Sequence, residues 1–133
     1  MLHCLVVGDS IAVGVAEELN RTGITCTAEA KVGISTAEWL FRYPPPDPAD
    51  IVVISLGAND QGRASVDDFW QVRKRIQGQR VIWVLPANNP KADEEIQLLA
   101  AECGDHVIAF APGADGVHPR SYRTLVKNLS SAL

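Results

Sequence analysis

The chain has 133 residues, of which 47% are hydrophobic and 21% charged, and its net charge is −4. This size and balance predict one globular domain over 1–133. The acidic balance argues against a nucleic-acid-binding surface. No segment approaches the ~18 consecutive apolar residues of a membrane span. No basic stretch precedes an apolar run at the N-terminus, so no export signal is visible and a cytoplasmic location is the default expectation.

Apolar runs alternate with amphipathic stretches along the whole chain. Strands are predicted over 2–7, 24–28, 51–56, 80–85 and 106–110, and helices over 11–21, 35–43, 65–77, 92–103 and 119–133. Strands that alternate with helices indicate an α/β protein, in which a parallel five-stranded sheet is covered by helices on both faces. The expected architecture is therefore a three-layer α/β/α sandwich.

Several helix ends carry recognisable signals. Ser35 is followed three residues later by Glu38, which is the spacing of a capping box. Ser65 is the expected N-cap of the third helix. Gly104 fits the C-terminal end of the fourth helix, and Pro119 suits the first turn of the last one.

Chemically useful side chains follow the predicted strands. Ser10 lies in Gly-Asp-Ser-Ile at 8–11, directly after the first strand, and Asn59 lies in Gly-Ala-Asn-Asp at 57–60, after the third. Asp115 and His118 stand three residues apart late in the chain. Because ligands of parallel sheets bind at the carboxyl ends of the strands, these groups are expected to meet at one edge. A hydroxyl, an imidazole, a carboxylate and an amide are the parts needed for nucleophilic acyl transfer.

These segments resemble the blocks of the SGNH, or GDSL-type, hydrolase family. Residues 8–11 are similar to its nucleophile block, with Ile11 where leucine is commoner, and 57–60 to its Gly-x-Asn-Asp block. Gly33 follows the second strand, where the family places a glycine, and 115–118 looks like the closing Asp-x-x-His block. The blocks occur in family order, and the resemblance covers residues 2 to about 130. It implies a flavodoxin-like five-stranded parallel sheet.

The resemblance also implies the roles of individual residues. Ser10 would be the nucleophile, His118 its base and Asp115 the carboxylate that orients the imidazole. The oxyanion hole would consist of the backbone N–H groups of Ser10 and Gly33 and the side-chain amide of Asn59. The implied activity is that of a serine esterase working through an acyl-enzyme, with no metal or organic cofactor.

The short chain leaves no room for a large lid, which favours a short acyl group such as acetyl on a sugar or other alcohol. The expected partner is thus a small-molecule or acylated-carbohydrate ester, and the oligomeric state stays open. Two alternatives remain: a thioesterase or lysophospholipase-type hydrolase with the same machinery, and a catalytically silent binding domain. Asn88 and Asn89 follow the fourth strand, so they are candidates for a substrate pocket or members of a simple turn.

Other conspicuous residues favour structural roles. Asp9 is expected to brace its loop, and Asp60 to be a loop or cap partner. The tryptophans are expected in the core, and His3 and His106 at the periphery. The cysteines at 4, 26 and 103 form no metal-binding pattern and are expected to be reduced thiols. A bridge between the first two is conceivable, but adjacent strands rarely offer suitable geometry.

Overall fold

The central sheet has five parallel strands in a computed structural model that describes residues 2–63 and 66–132. The strands are β1 (Cys4–Gly8), β2 (Cys26–Ala30), β3 (Ala49–Ser55), β4 (Gly78–Val84) and β5 (His106–Ile108), and the helices are α1 (Ser10–Arg21), α2 (Thr36–Arg42), α3 (Val66–Arg75), α4 (Pro90–Cys103) and α5 (Tyr122–Ser130). The strand order is β2-β1-β3-β4-β5, and all neighbouring strands are parallel. This order is the flavodoxin-like arrangement, so the predicted fold class is confirmed.

Helices cover both faces of the sheet and form two separate cores. One core joins the sheet to α1 and α5, and the other joins it to α2, α3 and α4. The central strand β3 is apolar on both faces because Val53 packs into the first core and Val52 into the second. Trp39 and Trp83 are fully buried in the second core, as predicted. No helix within the described ranges is long and apolar enough to cross a bilayer.

The predicted element boundaries differ from the observed ones by at most three residues. The capping box at Ser35 is confirmed, and Gly104 ends α4 in the left-handed conformation. Ser65 lies outside the described residues. The prediction that Pro119 opens the last helix is wrong, since α5 begins at Tyr122 with Ser121 as its N-cap. Pro119 instead pairs with Pro112 in an isolated antiparallel bridge, and this bridge closes the loop that precedes α5.

A disulfide joins Cys4 of β1 to Cys26 of β2. The expectation that both are reduced thiols is therefore wrong, while Cys103 is free. The two cysteines are direct partners in the parallel register, and their Cα atoms are 4.5 Å apart. That separation is inside the range that a disulfide can bridge. The bond attaches the edge strand β2 at the end of the sheet opposite to Gly8 and Ser10.

Removing this disulfide is expected to destabilise the fold substantially. The bond links residues 22 positions apart, and closing such a loop in the unfolded chain stabilises a protein by ~3 kcal/mol. We expect the Cys4→Ala/Cys26→Ala variant to lose about this much unfolding free energy in urea titrations. Cys103→Ala is the matched control, because it removes a thiol without opening a loop. Equal stability of the double variant and the control would contradict the prediction.

Candidate active site

The turn between β1 and α1 places Ser10 at the carboxyl edge of the sheet. Gly8 has a φ of +140°, and a Cβ atom there would lie 1.8 Å from the carbonyl oxygen of Ser55. Only glycine allows the end of β1 to approach β3 this closely. The N–H of Asp9 then donates to the same carbonyl oxygen at 3.0 Å. Ser10 follows as the first residue of α1, half-buried, with its side chain at the surface edge.

Asp9, not Ser10, is the N-cap of α1. Its carboxylate accepts a hydrogen bond from the N–H of Ile11 at 3.0 Å and one from the hydroxyl of Ser55 at 3.3 Å. The side chain is fully buried, and its Oδ2 atom has no hydrogen-bond partner among the described residues. The bracing role predicted for Asp9 is the one observed. Ser10 therefore does not cap α1, and helix capping does not account for a serine at this position.

Burial raises the pKa of Asp9 from 3.8 to about 6, because desolvation outweighs the hydrogen bonds that favour the carboxylate. The folded state consequently binds more protons than the unfolded state between these two values, so the ionisation of Asp9 lowers stability as the pH rises. The full penalty applies above pH ~6 and is roughly 3 kcal/mol.

We expect Asp9→Asn to become more stable relative to the wild type as the pH rises from about 4 to about 7.5, by ~2–3 kcal/mol. Asparagine keeps an oxygen to cap α1 and carries no charge to desolvate. Urea titrations of both proteins at the two pH values measure the difference. Asp67→Asn, which removes an exposed carboxylate from the first turn of α3, is the control. A difference that stays constant with pH would contradict the buried-charge explanation.

The structure brings Ser10, His118 and Asp115 into one hydrogen-bonded chain. The Oγ atom of Ser10 lies 2.8 Å from Nε2 of His118, and Nδ1 of the same ring lies 2.6 Å from Oδ2 of Asp115. An ionised carboxylate can only accept, so Nδ1 carries the proton and Nε2 accepts from the serine hydroxyl. The side chains of His118 and Asp115 are 44% and 52% exposed, so the site is open to solvent.

The loop at 115–118 holds the carboxylate in place. Oδ1 of Asp115 accepts the backbone N–H groups of Val117 and His118, both at 2.9 Å. The side-chain hydrogen bond from His118, followed by these two backbone bonds, lowers the pKa of Asp115 to about 2. Asp115 is therefore ionised at any pH at which the protein would work. The loop is closed behind the site by a bond from the N–H of Gly113 to the carbonyl of His118 at 2.8 Å.

Gly33 and Asn59 lie close together at the carboxyl edge of the sheet, the edge that also carries Ser10. Gly33 has a φ of +80°, and the space beside it is open. The side-chain amide of Asn59 donates one hydrogen to the carbonyl of Ile34 at 3.0 Å. Its second amide hydrogen and the backbone N–H of Gly33 have no acceptor among the described residues. Both groups are therefore available to bind an oxygen atom from outside the protein.

A second contact fixes the same two loops, and it involves a residue that sequence analysis missed. Asp60 accepts the backbone N–H of Thr36 at 2.9 Å and its hydroxyl at 2.7 Å. Thr36 is fully buried. This pair ties the start of α2, just after Gly33, to the loop that carries Asn59. The structural role expected for Asp60 is the one observed. Its partner is Thr36, and the only sign of this partner in the sequence is a hydroxyl-bearing residue directly after the Ser35 cap.

Asn88 and Asn89 differ in their surroundings. Asn89 is fully buried, caps α4, and donates to the carbonyls of Gly57 and Arg63 at 3.0 and 2.9 Å. It has no surface left for a substrate, so the turn interpretation holds for this residue and the pocket interpretation does not. Asn88 is exposed and donates to the carbonyl of Ala58 at 2.9 Å. It supports the loop next to Asn59 and can still be reached from solvent.

Comparison with known proteins identifies the fold. No protein-family model matches the chain, and no curated protein matches it in sequence. Among solved structures, a protein ascribed to the lipolytic G-D-S-L family of Desulfitobacterium hafniense DCB-2 is similar over all of both chains, with a TM-score of 0.70 and 17% identity. A carbohydrate acetylesterase family member from Sinorhizobium meliloti is equally similar, at 0.70 and 17%, over 98% of this chain and 96% of that one.

A third structure with this architecture is the C-terminal catalytic domain of peptidoglycan O-acetyltransferase A from Streptococcus pneumoniae. Its TM-score is 0.65 at 16% identity, over 98% of this chain and 92% of that domain. The similarity therefore extends over the full sheet and its helices in all three cases. The chain has the fold of the GDSL-type, or SGNH, hydrolases.

Proposed function

We propose that the protein is a serine esterase of the SGNH type, which hydrolyses short acyl groups, acetyl above all, from sugars or other alcohols through an acyl-enzyme at Ser10. The observation that carries the proposal is the unbroken chain from the Ser10 hydroxyl through His118 to Asp115, with contacts of 2.8 and 2.6 Å. The similar folds include a carbohydrate acetylesterase family member and an O-acetyltransferase domain, which supports acyl transfer as the chemistry.

Each step of the proposed reaction uses a group at the carboxyl edge of the sheet. The hydroxyl oxygen of Ser10 attacks the ester carbonyl carbon while Nε2 of His118 takes the hydroxyl proton. The carbonyl oxygen becomes an anion and is bound by the N–H groups of Ser10 and Gly33 and by the free amide hydrogen of Asn59. Collapse breaks the bond to the alcohol, which leaves with the proton held by His118. Water, activated by the same nitrogen, then releases the acid and restores Ser10.

The three proposed oxyanion donors are held in fixed positions by the surrounding structure. Ser10 is the first residue of α1, so its N–H needs no partner within the helix and faces outward at the positive end of the helix dipole. The bonds from Asn59 to the carbonyl of Ile34 and from Thr36 to Asp60 fix the other two donors relative to each other. Donors held in position before the reaction stabilise a developing charge without reorganising, and each contributes roughly 3 kcal/mol.

Labelling with a serine-directed fluorophosphonate tests the proposal. One covalent adduct is expected per chain, located at Ser10 by mass spectrometry, and Ser10→Ala should abolish it while Ser131→Ala, at an exposed serine, should not. A series of 4-nitrophenyl esters then tests acyl length, with kcat/KM expected to be highest for acetate. No adduct and no turnover would instead indicate the silent binding domain. A preference for thioesters or long acyl chains would favour the alternative hydrolase classes.

A further inference from the structure

A groove of about 440 Å³ begins at Gly33 and runs along the outer side of α2. We name it the α2 groove. Its walls include the apolar side chains of Val32 and Phe41 and the charged side chains of Lys31, Glu38 and Arg42. We propose that the α2 groove binds the alcohol portion of the substrate, and that this portion is a saccharide whose sugar rings carry carboxylates. This inference rests on the esterase function proposed above.

The apolar walls of the α2 groove are unusually exposed. Phe41 is 95% and Val32 is 70% exposed, the two highest values for large hydrophobic side chains among the described residues. Single exposed hydrophobic residues need no explanation, but two such residues in one groove beside a candidate active site indicate a binding surface. A bare phenyl ring offers a flat apolar face on which the C–H face of a sugar ring can pack.

The charges in the groove select the kind of saccharide. Lys31 and Arg42 are cationic, whereas the carboxylate of Glu38 is directed to the start of α2, where it accepts the N–H of Ser35 at 3.3 Å. Arg42 lies 5.9 Å from the centre of the Tyr43 ring, a cation–π contact that supports its guanidinium group. The groove thus carries two cations and one carboxylate, a local excess of positive charge on a chain whose net charge is −4. A carboxylate on the ligand complements this local charge.

The position of Phe41 determines which part of an ester can reach it. α2 begins at Thr36, so Phe41 lies roughly 7.5 Å further along the helix axis. An acetyl group has only two carbon atoms, so it is too short to span the length of helix between Thr36 and Phe41. The alcohol portion of an acetyl ester can span it, provided that it is as large as an oligosaccharide.

Selectivity measurements test this assignment. The substrates are an O-acetylated oligogalacturonide, an O-acetylated xylo-oligosaccharide that lacks carboxylates, and 4-nitrophenyl acetate as the small reference. We expect Phe41→Ala to lower the kcat/KM ratio of either oligosaccharide to the reference about tenfold, mainly through KM. Lys31→Gln and Arg42→Gln should lower the ratio for the oligogalacturonide several-fold and leave that for the xylo-oligosaccharide unchanged.

Matched controls lie on other helices. Leu98→Ala removes an exposed apolar side chain from α4, and Lys74→Gln removes an exposed cation from the last turn of α3. Equal behaviour of Phe41→Ala and Leu98→Ala would overturn the proposal. An equal loss of the kcat/KM ratio for the acidic and the neutral saccharide in Lys31→Gln and Arg42→Gln would also overturn it. A Phe41→Ala effect found with long 4-nitrophenyl acyl esters instead of the saccharides would also overturn it, because the groove would then bind the acyl group.

A binding measurement separates this inference from the proposed function. Calorimetric titration of the Ser10→Ala protein with the acetylated oligogalacturonide measures the affinity of the groove without turnover. About tenfold weaker binding in Ser10→Ala/Phe41→Ala than in Ser10→Ala/Leu98→Ala supports the groove even if no esterase activity is found. Equal binding by the two double variants overturns the groove, whatever the fluorophosphonate experiment shows for Ser10.

Discussion

Ser10→Ala and His118→Ala are each expected to lower kcat for 4-nitrophenyl acetate by ~10⁵–10⁶-fold. The hydroxyl and the imidazole act as one unit, since the 2.8 Å contact between Oγ and Nε2 is the path along which the proton leaves the nucleophile. Without the imidazole the hydroxyl is a weak nucleophile, and without the hydroxyl the imidazole has nothing to activate. The double variant should therefore be no slower than either single one.

Two controls keep this prediction specific. Ser131→Ala replaces an exposed serine after α5, and His106→Ala replaces an exposed histidine at the opposite edge of the sheet. Both should keep wild-type activity within about twofold, as surface substitutions usually do. Losses that multiply in the Ser10→Ala/His118→Ala double variant would show that the two residues act independently, and the proposed mechanism would then be wrong.

The placement of Ser10, Asn59 and His118 at one edge of the sheet could be predicted from the sequence because it follows from topology. Alternating strands and helices dictate a parallel sheet, and every loop after a strand in such a sheet lies at the same edge. The bracing role of Asp9 could be predicted in the same way, since a tight turn between a buried strand and a helix needs a side chain that binds the free N–H groups. The sequence was thus sufficient to predict which side chains lie at this edge.

The disulfide and the buried Asn89 could not be predicted, because each depends on how neighbouring elements are aligned. Whether Cys4 faces Cys26 is decided by the register of β1 and β2, and a shift of one residue would separate the thiols. Asn89 looks like any polar residue in a turn, and it is buried only because the loops of Gly57 and Arg63 fold over it.

The α2 groove could not be predicted from the sequence for a related reason. Trp39 and Phe41 stand close together in one apolar stretch, and the expectation that Trp39 lies in the core leaves open which way Phe41 faces. In the fold Trp39 is fully buried and donates its indole N–H to the carbonyl of Glu29 at 2.9 Å, whereas Phe41 points outward. The direction of the helix on the sheet decides between them, so the exposed ring becomes visible only in three dimensions.

Asp115→Asn is expected to lower kcat by ~10⁴-fold while the fold stays intact. The carboxylate at 2.6 Å keeps the proton of His118 on Nδ1, and this leaves Nε2 free to accept the proton of Ser10. The side-chain amide of asparagine can donate to Nδ1 instead, which moves the ring proton to Nε2 and blocks acceptance from the hydroxyl. Oδ1 still accepts the N–H groups of Val117 and His118, so the loop itself should be retained.

The comparison with Asp67→Asn isolates the charge and tautomer effect from a general loss of carboxylates. Because the pKa of Asp115 is about 2, its carboxylate is ionised throughout an assay range of about pH 5 to about pH 8, and the deficit of Asp115→Asn should persist over that entire range. Fluorophosphonate labelling of Ser10 should slow in parallel with kcat, while the urea midpoint stays close to that of Asp67→Asn. If Ser10 in Asp115→Asn were labelled at the wild-type rate, Asp115 would not orient the base. Its carboxylate would then only stabilise its own loop.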